Sequence, residues 1–134
     1  SNLDPHQSPL FWKSVNSLQL FSETKNNLLR AVVPPANCEK VMNNIKNKFK
    51  YFIDWSGSLF WIEVPGKDDD KLKKIKKMIL QNNGYLTIIK KSEEFDFSEK
   101  IFTIDDTKLM ISKKIKESFD PKGIFNPGKM YKDF

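Results

Sequence analysis

The chain holds few of the residues from which catalytic centres are usually built. Its 134 residues include one histidine, His6, and one cysteine, Cys38. A solitary histidine in the opening stretch leaves no partner for a catalytic dyad or a metal cluster. One thiol excludes an internal disulfide and fits a reducing compartment. Cys38 stands near a helix start, where the dipole favours thiolate, but without a histidine beside it this residue reads as a packed thiol. None of the five glycines falls in a GxGxxG or Walker pattern. No apolar run approaches bilayer length, and no secretory pattern opens the chain. The residues by themselves show no catalytic apparatus and no metal site.

Arginine is scarce as well. Arg30 is the only one, so the formal charge of +6 and the pI near 9.3 are a lysine excess. Lysines spread over solvated faces account for that balance better than a dedicated polyanion site does. A planar guanidinium grips a carboxylate or phosphate at two points, which lysine cannot copy. Arg30 is therefore a candidate anchor for an anionic substrate or an anionic cofactor group. The alternative is an ion pair with Glu63 or Asp54 on neighbouring strands.

Apolar content of 39% and aromatic content of 13% are those of a folded domain with its own core. The chain opens Ser1-Asn2 without an initiator methionine, so residues 1–7 read as a flexible lead-in or cloning-derived segment, and a longer parent is expected. Residues 8–134 read as one domain. Ser8 and Pro9 start a short helix running to about Asn16. Asn27 to Val33 reads as a strand closed by Pro34-Pro35. Asn37 caps a helix to about Phe49, with Val41, Met42 and Ile45 on its apolar face.

Lys50 to Trp55 and Ser58 to Val64 read as a hairpin turned at Ser56-Gly57. The acidic run Asp68-Asp69-Asp70 complements the dipole of a helix carrying Leu72, Ile75, Met78 and Ile79 on one face. Asn83-Gly84 stops it before a fourth strand, Tyr85 to Lys90. An acidic connection, 92–103, leads to a last helix opened by Asp105 or Asp106, with Leu109, Met110, Ile115 and Phe119 as its apolar stripe. The order predicts an α+β fold, a ferredoxin-like β-α-β-β-α-β antiparallel sheet with flanking N- and C-terminal helices.

Strand alternation turns Leu29, Ala31, Val33, Phe60, Ile62, Val64, Leu86 and Ile88 toward the helices. Arg30, Trp61, Glu63, Tyr85 and Thr87 then face the other way. That face meets another domain, a terminal helix or a ligand, unless the chain's own first and last helices cover it. The fold order also raises RNA recognition, but the first strand has no aromatic for stacking, which argues against nucleic acid.

The closing segment F-D-P-K-G-I-F-N-P-G-K-M, 119–130, resembles the C-terminal signature of FAD-linked oxidases of the vanillyl-alcohol-oxidase type. Two upstream runs, L-L-R-A-V-V-P-P and D-W-S-G-S-L-F-W, are similar to segments of the FAD-binding subunit of glycolate oxidase, with Ser56 standing where that family has glycine. The resemblance implies the substrate, or cap, domain of an FAD-dependent oxidoreductase acting on a 2-hydroxy acid such as glycolate. FAD would be bound mainly by a domain absent from this chain, leaving the fragment inactive alone. Partners implied are that FAD-binding domain, sister oxidase subunits and the small acid, in the cytoplasm, peripheral to the inner membrane through partner subunits.

By the same analogy Arg30 anchors the carboxylate, with Trp61 and Tyr85 as walls of the substrate site. Asn126, Pro127 and Gly128 approach the cofactor, and no residue is assigned to catalysis. Pro121, Pro127, Gly123 and Gly128 make the segment a stiff clip in which Ile124-Phe125 plugs an apolar slot. The competing reading is a non-enzymatic interaction module that binds a partner subunit or single-stranded RNA.

Overall fold

Period-two alternation in four short segments builds the sheet in the computed structural model, which describes residues 7–95, 102–103, 105–129 and 131. The strands are β1 (Asn27–Val32), β2 (Lys50–Asp54), β3 (Leu59–Val64) and β4 (Tyr85–Lys90). All pairs are antiparallel, in the order β2-β3-β1-β4. The helices are α1 (Gln7–Asn16), α2 (Cys38–Ile45), α3 (Asp69–Gln81) and α4 (Asp106–Phe119). With α2 joining β1 to β2 and α3 joining β3 to β4, this is the expected ferredoxin-like plan.

The core lies between one sheet face and two helices. Leu29, Ala31, Val33, Phe60, Ile62, Val64, Leu86 and Ile88 are buried against Val41 and Ile45 of α2 and Leu72, Ile75 and Ile79 of α3. Each of these side chains except Ala31 contributes roughly 1.5–3 kcal/mol by leaving water. Asp68 caps α3 by accepting the Lys71 N–H at 3.0 Å. Gly84 permits the tight return from α3 to β4, since a Cβ there would lie 2.6 Å from the Val32 carbonyl oxygen.

Several local expectations change. Asn37 does occupy the N-cap position of α2 but makes no side-chain cap. Its Nδ2 instead donates to the Asn82 carbonyl at 2.9 Å, tying the start of α2 to the end of α3. The same helix stops at Ile45 rather than near Phe49, and Asn47 turns the chain at φ 65°. Between β2 and β3 a left-handed turn, Trp55–Gly57, replaces a two-residue hairpin turn. The connection expected over 92–103 lies partly outside the described residues. Within it, Phe102 bridges to Thr87 on the edge of β4.

Neither terminal helix has a buried residue. The stripe expected on α4 is present but mostly turned outward: Met110 and Ile115 are exposed and Phe119 is 85% exposed, while Leu109 is half-buried. A different segment covers one end of the second sheet face. The approach to β1 places Phe21 in a buried position. There Lys50 Nζ donates to the Leu20 carbonyl at 2.5 Å and Lys90 Nζ to that of Thr24.

Candidate functional site

Strand register lays out the second face in three rows. Lys50, Glu63, Leu28 and Lys90 form the row nearest the approach segment. Phe52, Trp61, Arg30 and Thr87 form the middle row, extended by Phe102 at the edge. Asp54, Leu59, Val32 and Tyr85 form the last. Directly opposed residues on a pleated sheet project to the same side. The structure thus brings Arg30, Trp61 and Tyr85 onto one face, with Trp61 the direct cross-strand neighbour of Arg30 and Tyr85 one row away.

The ion pair weighed for Arg30 is not formed. Glu63 is engaged by Thr24 Oγ1 and Asn26 Nδ2, each donating at 2.7 Å. Partial burial pushes the Glu63 carboxyl up, but those two hydrogen bonds and the Lys50 and Lys90 ammoniums hold it below the usual value. Asp54 turns its Oδ1 to the Trp55 N–H at 2.7 Å. Among the described residues no carboxylate reaches the guanidinium. Its neighbour is an indole, with the Arg30 guanidinium carbon 5.2 Å from the Trp55 ring centroid.

The sequence does not mark Trp55. It follows an ordinary strand end and precedes a turn signal, so nothing in its spacing marks it. Its position depends on backbone φ of 50° at Trp55 and 52° at Ser56, a left-handed pair that residue preferences argue against.

Tyr85 also lines a cleft of about 650 Å³ between the start of β4 and the start of α4, with Phe102, Thr103, Lys108 and Tyr131 among its walls. Tyr131 is stacked obliquely on Phe102, ring centroids 6.1 Å apart, so the end of the tail returns to the sheet edge beside the middle row. Burial raises the Tyr131 phenol above its ordinary value.

Residues 120–129, which follow α4, form a preformed clip. Asp120, 8% exposed, accepts the N–H groups of Ile124 and Phe125 at 2.9 Å each and also the Lys116 ammonium. Lys116 Nζ reaches on to the Phe125 carbonyl at 2.6 Å. Ile124 and Phe125 do not plug a slot within this chain. They stand 66% and 69% exposed, and Asn126, Pro127 and Gly128 are exposed beside them. The clip is ordered from within and presents apolar side chains outward.

Among the described residues no group of three His, Cys, Asp or Glu could hold a metal ion. No helix of the described residues is long and apolar enough to cross a membrane. No curated protein and no solved structure matches the chain. Residues 98–130 match the family model for FAD linked oxidases, C-terminal domain. The matched stretch spans α4 and the clip, and it supports reading this end of the chain as part of the C-terminal domain of an FAD-linked oxidase.

Proposed function

We propose that the chain is the substrate, or cap, domain of an FAD-dependent oxidoreductase acting on a small 2-hydroxy acid, most similar to the FAD-binding subunit of glycolate oxidase. The observation that carries it is Arg30, placed mid-face among aromatics with no carboxylate partner among the described residues, in a chain whose end matches the FAD-linked oxidase family. The described loops contain no glycine-rich cradle for a pyrophosphate, so the bulk of the cofactor belongs to a domain outside this chain. The exposed turn at Asn126, Pro127 and Gly128 fits contact with the flavin's edge.

When bound, the flavin supplies the acceptor for the hydride leaving the hydroxyl-bearing carbon. The work of this chain is binding and orientation. Arg30 takes the acid's carboxylate through two parallel N–H bonds, and Trp61 and Tyr85 wall the substrate and exclude water. The protein partners are the FAD-binding domain and sister oxidase subunits, in the cytoplasm and peripheral to the inner membrane through those subunits.

The test uses the parent flavoprotein. Glycolate or lactate added without oxygen bleaches the flavin, and Arg30→Lys weakens the acid about tenfold, the equivalent of about 1.4 kcal/mol, at unchanged thermal midpoint. A stable Arg30→Lys protein with unaltered affinity overturns the anchor. The outward apolar side chains of α4 and the clip also suit a second reading, a non-enzymatic module for a partner subunit. A parent protein that carries no flavin favours it.

A further inference from the structure

We infer that Trp55 is a positioning residue that holds Arg30 ready for a carboxylate. The inference rests on reading Arg30 as the acid's anchor. A ring centroid 5.2 Å from the guanidinium carbon is within the range at which an aromatic quadrupole attracts a cation. An aromatic face restrains the guanidinium without taking up its N–H groups as a carboxylate would. Among the described residues none takes up the five donors of Arg30, which leaves them for a ligand.

The placement of that ring is built into the fold. The Trp55 N–H is fixed by Asp54 Oδ1 at 2.7 Å. Its carbonyl accepts the Ser58 N–H at 3.1 Å, and the Ser58 carbonyl accepts the Val33 N–H at 2.9 Å, which ties the turn to the end of β1. Trp55, Ser56 and Gly57 hold φ of 50°, 52° and 90° in succession. Gly57 packs against Cys38, where a Cβ would lie 2.8 Å from Sγ. A left-handed run of this kind carries a conformational cost and persists only where its surroundings over-determine it. What it delivers is an indole, 57% exposed, over the only arginine in the chain.

Because Arg30 is the only arginine, its Nε–H gives one side-chain resonance in the isotope-labelled full chain. Glycolate is titrated into wild type, Trp55→Phe and Trp55→Ala, with ethylene glycol as the control that lacks a carboxylate. In wild type the indole ring current displaces the Arg30 resonance, and glycolate moves it further. Trp55→Phe keeps the affinity within about threefold, whereas Trp55→Ala weakens it about fivefold and returns the resonance toward that of free arginine.

Equal glycolate affinity in Trp55→Ala and wild type overturns the positioning role and leaves Arg30 as anchor. So does an Arg30 resonance indifferent to that change. A wild-type resonance that ignores glycolate, or responds equally to ethylene glycol, overturns the anchor and the positioning role together. Should Trp55→Ala fail to fold, Trp55→Leu, which keeps bulk without a π face, decides against Trp55→Phe by the same criteria.

Discussion

Asp120 gathers three donors into one carboxylate, and its ionisation sets the shape of the clip. The Lys116 ammonium beside it lowers its pKa first. Desolvation works the other way, and the amides of Ile124 and Phe125 lower it again, to about 2 from an ordinary 3.8. The folded value lies below the unfolded one, so the stabilisation is complete above the unfolded pKa and is lost as pH falls through the folded value. The amide shifts of Ile124 and Phe125 should therefore titrate with a midpoint of about 2. Asp120→Asn should abolish that midpoint and loosen the two amides while the sheet resonances stay in place. A midpoint in the ordinary carboxylate range, about 4, would mean that the clip is not closed by Asp120. The D-P-x-G spelling revealed a turn at this point, because Pro121 and Gly123 have few other uses. It did not reveal that the aspartate is the buried half of a network reaching back to Lys116.

Elements α3 and α4 carry the same kind of signal, an apolar stripe at helical spacing beside lysines, yet the structure uses them in opposite ways. Leu72, Ile75 and Ile79 of α3 are buried under the sheet, and no residue of α4 is. Ile79→Ala should cost about 2–5 kcal/mol, by lost transfer free energy and a residual cavity. Ile115→Ala and Phe119→Ser should each change stability by less than about 0.5 kcal/mol. Urea unfolding of the three variants checks both halves, and a cost at Ile115 like that at Ile79 would show α4 packed in solution. Strand order, both crossover helices and the buried face were legible because alternation, caps and turn residues agreed with one another. Periodicity reports that a helix has a face to bury but not whether the covering surface is in the same chain. The aromatic companion of Arg30 was hidden for a related reason: a left-handed Trp-Ser pair follows no residue preference, and its neighbours there are Asp54, which accepts the Trp55 N–H, and Gly57.

Across the whole molecule, the parts that hold the fold together and the part that matches a family are different parts. The buried core draws on the strands, α2, α3 and Phe95, all within residues 27–95, whereas the family match covers 98–130. What ties the second region to the first is concentrated at the sheet edge. The Thr103 N–H donates to the Leu86 carbonyl at 2.9 Å, and the Leu86 N–H donates to Thr103 Oγ1 at 2.5 Å. A chain ended after residue 104 keeps those bonds and loses α4 and the clip. Its thermal midpoint should fall by less than about 6 °C, the shift that a loss below about 1 kcal/mol produces in a domain of this size. The same truncation of the parent polypeptide should lower its flavin content, because the outward stripe of α4 and the exposed Ile124 and Phe125 then have nothing to dock. A truncated chain that melts far earlier would place α4 among the elements that hold the sheet, and its exposed apolar side chains would no longer point to a partner. A parent that keeps its full flavin content without residues 105–134 would instead show that the cofactor-bearing body is held elsewhere, leaving the half-buried sheet face around Arg30 as the surface that meets it.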